Sequence, residues 1–140
     1  MKRIVHSILI FALTFTALGI GGNSALAKDG AAGLYKQGRG EFMKFTPQGF
    51  QQAIALYNKA IAADANYAPA YAGLAEVYSF MGFDRYLVKD DYEKYYNDSY
   101  QNMEKALKLD PNAESTQIAL AYSYYHLSRE KAVSYTHLTL

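Results

Sequence analysis

The chain has 140 residues, with 14 basic and 13 acidic side chains, 14 Tyr, 7 Phe, 3 His, and neither Cys nor Trp. That length holds one small domain, and the balanced charge excludes a broad electrostatic footprint for nucleic acid or anionic lipid. The lack of Cys excludes disulfides, a thiolate nucleophile and thiolate metal sites, which suits an exported protein.

The first element is short and apolar. Lys2 and Arg3 precede an apolar run from Ile8 to Ile20, a Gly21-Gly22-Asn23-Ser24 break, and then Ala25-Leu26-Ala27. This layout predicts a cleavable signal peptide over residues 1–27, with the small Ala25 and Ala27 fitting a signal peptidase that cuts before Lys28. The mature protein is then periplasmic or secreted, with no membrane attachment. The alternative is an uncleaved N-terminal anchor, because Ile4 to Ile20 approaches the roughly 17 residues that span a bilayer. Without Lys2 and Arg3, 12 basic residues remain against 13 acidic ones. Residues 28–33 read as a linker.

Leu34 to Phe42 reads as a first helix, although Gly38 and Gly40 weaken it by about 1 kcal/mol each relative to Ala. Thr46 followed by Pro47 predicts the start of a second helix, an N-cap with proline in the first turn. That helix carries Ala53, Tyr57 and Ala60 toward its partner and ends near Asp64-Ala65-Asn66. Tyr71, Leu74, Ala75 and Tyr78, at steps of three, one and three, predict one face of a third helix. The segment Phe83 to Asp98 is rich in Tyr and charge. It reads either as a binding lobe or as a helical extension that turns Tyr92, Tyr96 and Ser99 toward the core. Ser99, Met103 and Ala106 continue a fourth helix, which Asp110-Pro111-Asn112 ends, because proline lacks the donor a continuing helix needs. Gln117, Leu120, Ala121 and Tyr124 predict a fifth. From Val133 to Leu140 the amphipathic pattern stops, and those residues resemble the translation of a transposon mosaic-end sequencing adapter. They read as a non-native tail, against the alternative of a native strand or tail that Val, Tyr and Thr would suit.

An internal repeat organises these elements. Asn58 to Asn66 recurs forty-six residues later as Glu104 to Asn112, and the helices that follow keep the same register. On these residues the chain resembles the tetratricopeptide-repeat family: Ala53, Tyr57, Ala60 and Ala65 follow the spacing of that family's second helix, and Ser99, Met103, Ala106 and Pro111 follow it again. Three features depart from the pattern. Ala65 replaces the usual Pro, Thr46-Pro47-Gln48 lengthens the first turn, and about twelve residues are added between Gly82 and Ser99. The resemblance covers Leu34 to Ala132, about two and a half units. It implies an all-α fold of antiparallel helix-turn-helix repeats stacked as a short right-handed superhelical solenoid. Ala53, Tyr57, Ala60, Leu74, Ala75, Tyr78, Met103, Ala106, Leu120, Ala121 and Tyr124 are its expected helix-packing residues.

A stacked array forms a groove from the inner face of each unit's first helix. Tyr35, Arg39, Phe42, Ala72, Glu76, Ser79, Ile118, Tyr122 and Tyr125 are expected to be exposed there. Aromatics with a polar tip suit the capture of a protein or peptide segment. A competing expectation is that Tyr122 and Tyr125 pack against further repeats. Only Arg39 is cationic on this face, which argues against clamping a C-terminal carboxylate.

No catalytic set, cofactor or metal site is expected. Asp90, Asp91 and Glu93 lack the spacing and glycine of a calcium loop. His6 falls in the signal, His137 in the tail, and His126 reads as a lone surface or groove residue. The expected function is a non-catalytic interaction scaffold of the bacterial envelope or secreted space. The alternatives are the N-terminal repeats of a longer enzyme or signalling protein whose effector domain is missing, and a plain spacer. Self-association is expected as well, because such arrays need about three repeats.

Overall fold

A computed structural model describes residues 20–87 and 92–136. The described residues are all-α, with five helices and no strand: α1 (Ile20–Phe42), α2 (Pro47–Ala63), α3 (Ala68–Leu87), α4 (Glu93–Leu109) and α5 (Glu114–Thr136). None of these helices is long and apolar enough to cross a membrane. The apolar run of the expected signal peptide, up to residue 19, and residues 137–140 of the expected tail lie outside the described residues.

Local chemistry sets the helix ends. Thr46 caps α2 from an extended backbone, its Oγ1 accepting the Gly49 amide at 3.0 Å, and Pro47 occupies the first turn. Asp64 ends α2 and Asp110 ends α4 in the same way. Each amide donates to the carbonyl four residues back, Ala60 and Ala106, and each carboxylate accepts from the amide two residues on, Asn66 at 2.9 Å and Asn112 at 3.1 Å. The two turns are alike although one holds Ala65 and the other Pro111. The aspartate sets the turn, so the missing proline costs little.

The helices form two layers. Tyr35 meets Tyr57 and Phe42 meets Phe50, so α1 and α2 are antiparallel. Ala75 meets Ser99 and Gly82 meets Tyr96, so α3 and α4 are antiparallel too. Arg39 lies beside Glu76 and Phe42 beside Phe80, so α1 and α3 run in the same direction. Phe80 against Tyr122 and Phe83 against His126 give α3 and α5 the same sense. Helix α3 is central and touches the other four, whereas α2 and α4 do not touch each other.

Burial repeats at the forty-six-residue offset. Ala53, Tyr57 and Ala60 of α2 are buried, and so are Ser99, Met103 and Ala106 of α4. Ala70, Gly73 and Val77 of α3 are buried, and so are Thr116, Ala119 and Ser123 of α5. In the first pair the Tyr57 ring is wedged between two glycines. A Cβ on Gly38 would lie 2.5 Å from that ring and one on Gly73 2.7 Å from it. In the second pair Met103, smaller and more adaptable, takes the place of Tyr57, and Ala119 takes the place of Gly73. Volume is conserved across the repeat, which keeps both interfaces close-packed.

Several expectations are corrected. Residues 28–33 are not a linker but part of α1, and Ala31 is fully buried in the core. Helix α1 is described from Ile20 on, and its backbone runs helically through the Gly-Gly-Asn-Ser break and through Ala25 and Ala27. At the other end, α5 continues through Val133 to Thr136 rather than stopping at Ala132. Of the two readings of segment 83–98, the helical extension rather than the lobe holds among the described residues. Helix α3 extends to Leu87, α4 starts at Glu93, and Tyr96 and Ser99 are buried. Asp90 and Asp91 fall outside the described residues.

Candidate functional site

Helices α1, α3 and α5 lie side by side, and the central one is recessed. The result is a groove with α3 as its floor and α1 and α5 as its walls. One depression of about 700 Å³ is lined by Phe42, Met43, Phe45, Ala121, Tyr122 and Tyr125. A second, of about 440 Å³, is lined by Tyr35, Pro69, Ala113, Glu114 and Ser115. Arg39, Glu76 and Ile118 line both and join them.

The α1–α2 turn builds the first wall. Phe45 adopts φ 50°, a left-handed backbone unusual for a side chain of this size, and its ring is half exposed at the lip. The turn is held by aromatic contact. Phe45 precedes the Thr46 cap, and its ring meets that of Phe50, four residues into the helix, at 6.5 Å. It also lies 5.4 Å from Phe42 and 5.7 Å from Phe80. Phe80 carries the chain of rings on to Tyr122, at 5.1 Å.

One ion pair crosses the floor. Arg39 donates to Glu76 Oε2 at 2.6 Å, with the Glu76 side chain 1% exposed and that of Arg39 29%. The guanidinium also lies over the Phe42 ring at 5.2 Å. Glu76 Oε1 is buried and has no hydrogen-bond partner. Burial pushes the Glu76 carboxyl above its ordinary range, against the pull of the Arg39 hydrogen bond and charge. Burial likewise pushes the Tyr35 hydroxyl up to about 12 and raises that of Tyr57, with Arg39 opposing both.

Seven of the nine residues expected in the groove line it: Arg39, Phe42, Glu76, Ile118, Tyr122 and Tyr125 in the first depression, and Tyr35 in the second. Phe42 and Glu76 do so as buried residues, one in the α1 wall and one in the α3 floor, rather than as exposed positions. Ala72 and Ser79 are not in it. Ala72 is sealed in the α3–α4–α5 core with Ala75 and Met103. Ser79 is buried between α3 and α5, its Oγ 2.7 Å from His126 Nδ1. His126 is therefore neither lone nor superficial; it is 3% exposed and stacks on Phe83 at 4.9 Å. Both members of this Ser–His pair are closed to a substrate in this structure.

Most expected helix-packing residues are buried or packed against the core, including Leu74, Tyr78 and Leu120. Two are not. Tyr124 is 66% exposed, and Ala121 is exposed on the α5 wall of the groove, because no described helix covers that side of α5. Met43 and Phe45 were missed. Phe45 had a readable signal, an aromatic before a Thr-Pro cap with Phe50 in stapling position.

Among the described residues no cluster of His, Cys, Asp and Glu could hold a metal ion. Compared with family models, curated proteins and solved structures, the chain matches none.

Proposed function

We propose that the protein is a non-catalytic interaction module, a tetratricopeptide-like array that holds an apolar segment of a partner protein in the groove across α1, α3 and α5. The observation that carries this reading is the open aromatic depression of about 700 Å³ set on three packed helices. Rigid aromatic walls bury much area at little entropic cost, the usual requirement of a peptide-binding surface. The right-handed superhelical stacking belongs to this proposal, as does export to the periplasm or the secreted space ahead of Lys28. The test is binding of capped, fluorophore-labelled peptides rich in Leu and Phe, followed by anisotropy. Tyr122→Ala and Phe45→Ala are expected to weaken binding at least about tenfold while the helical circular dichroism is kept. Unchanged affinity in both variants would discard the groove.

A second reading has one observation in its favour. Ile118, Ala121, Tyr122 and Tyr125 are the forty-six-residue counterparts of Ala72, Ala75, Glu76 and Ser79, all of them buried in α3. That relation suits an array continued by further repeats, as in the N-terminal region of a longer enzyme or signalling protein. A longer chain in which Tyr122 and Tyr125 become buried would favour this reading over peptide capture.

A further inference from the structure

The two depressions differ in chemistry, and the difference specifies a ligand. The first is apolar, walled by Phe42, Phe45, Tyr122 and Tyr125. Arg39 and Glu76 line both depressions, and the second adds a further carboxylate, Glu114. Arg39 is committed to Glu76 Oε2 at 2.6 Å, which leaves Oε1 buried without a donor. A buried acceptor left unsatisfied is unfavourable, so a donor brought by a ligand recovers free energy there. Glu114 is exposed, at the start of α5, and adds negative charge at the mouth of the same depression.

We propose that the groove recognises a peptide segment bearing a lysine or arginine beside bulky apolar side chains. The cation enters between Glu114 and Glu76 Oε1, and the apolar side chains fill the space framed by Phe42, Phe45 and Tyr122. This rests on the groove reading above and adds its ligand chemistry. A lysine ammonium is compact and carries three donors, which suits a depression lined by two carboxylates. Arg39 is held on the other oxygen of Glu76.

The experiment uses the full chain and two capped, labelled peptides, identical except that one carries lysine and the other norleucine ahead of a Leu-Phe pair. Anisotropy should show the lysine peptide binding about tenfold tighter. Glu114→Gln and Glu76→Gln should each reduce that ratio to below about threefold. Glu114 is exposed, so Glu114→Gln carries the test even if circular dichroism finds Glu76→Gln unfolded. Equal binding of the two peptides to the unaltered chain, or a ratio intact in Glu114→Gln, overturns the cation subsite and leaves the groove standing. Binding of neither peptide overturns both.

Discussion

The helix pair α2–α3 and the pair α4–α5 follow one pattern forty-six residues apart, yet they end up in different surroundings. In α3, Ala72, Ala75 and Ser79 are buried under α4 and α5, and Glu76 is buried against Arg39 of α1 at the floor of the groove. In α5, their counterparts Ile118, Ala121, Tyr122 and Tyr125 line an open groove. The difference shows that the repeat dictates which side chains point along a given face, while the neighbours decide whether that face becomes core or surface. It also accounts for the residues chosen. The covered face of α3 has small side chains and one ion-paired glutamate, which allow close helix approach. The open face of α5 has tyrosines, whose hydroxyls tolerate water.

The strongest way to sharpen the contrast is to break the covered face. Arg39→Met strands the Glu76 carboxylate in a buried position, and denaturant unfolding should register a loss of about 3 kcal/mol or more. Tyr122→Ala, at the counterpart of Glu76, should cost no more than about 1 kcal/mol, because Tyr122 is 39% exposed.

Alkaline titration gives the next effect. The Tyr35 hydroxyl ionises near its ordinary value of 10.0 when unfolded and at about 12 when folded. Its pKa is raised on folding, so its contribution is fully present below pH 10 and is lost as the pH rises through about 12. Stability should fall by on the order of 2 kcal/mol across that window, allowing for the partial exposure of the ring. Tyr35→Phe should flatten the fall, and an unchanged slope would place Tyr35 in water.

A third, smaller effect tests volume conservation between the pairs. Gly73→Ala pushes a methyl into the Tyr57 ring and should destabilise by about 1–2 kcal/mol. Replacing Tyr57 by Met in that background copies the Met103–Ala119 arrangement of the second pair. It should recover part of the loss, a coupling visible in a double-mutant cycle.

Much of this architecture was legible in the sequence. The buried faces of α2 and α4 followed from Ala53, Tyr57 and Ala60 and from Met103 and Ala106, because each of those helices turns one apolar stripe inward and leaves its other side to solvent. Helix α3 was harder to read, since it is covered on nearly all sides and its apolar residues do not form a stripe. Ala72 and Ser79 were placed in the groove because they sit on the same face as Glu76. In fact they lie far enough around the helix to meet α4 and α5. Tyr124 misled in the opposite way. Its counterpart Tyr78 packs on the core, but Tyr124 has no described helix beside it. The early start of α1 was hidden by Gly30 and Gly33, which weaken local helix propensity, while the tertiary contact made by Ala31 favours the helix. The partner of His126 could not be read either, since Ser79 lies forty-seven residues away and only the α3–α5 packing joins them.

The most direct test is one substitution made at two equivalent places, Ala75→Leu and Ala121→Leu. The account predicts that Ala75→Leu lowers stability by about 1–3 kcal/mol through overpacking. Ala121→Leu should leave stability within about 0.5 kcal/mol and abolish peptide binding by filling the groove. Equal destabilisation by both, with peptide binding intact in Ala121→Leu, would contradict it.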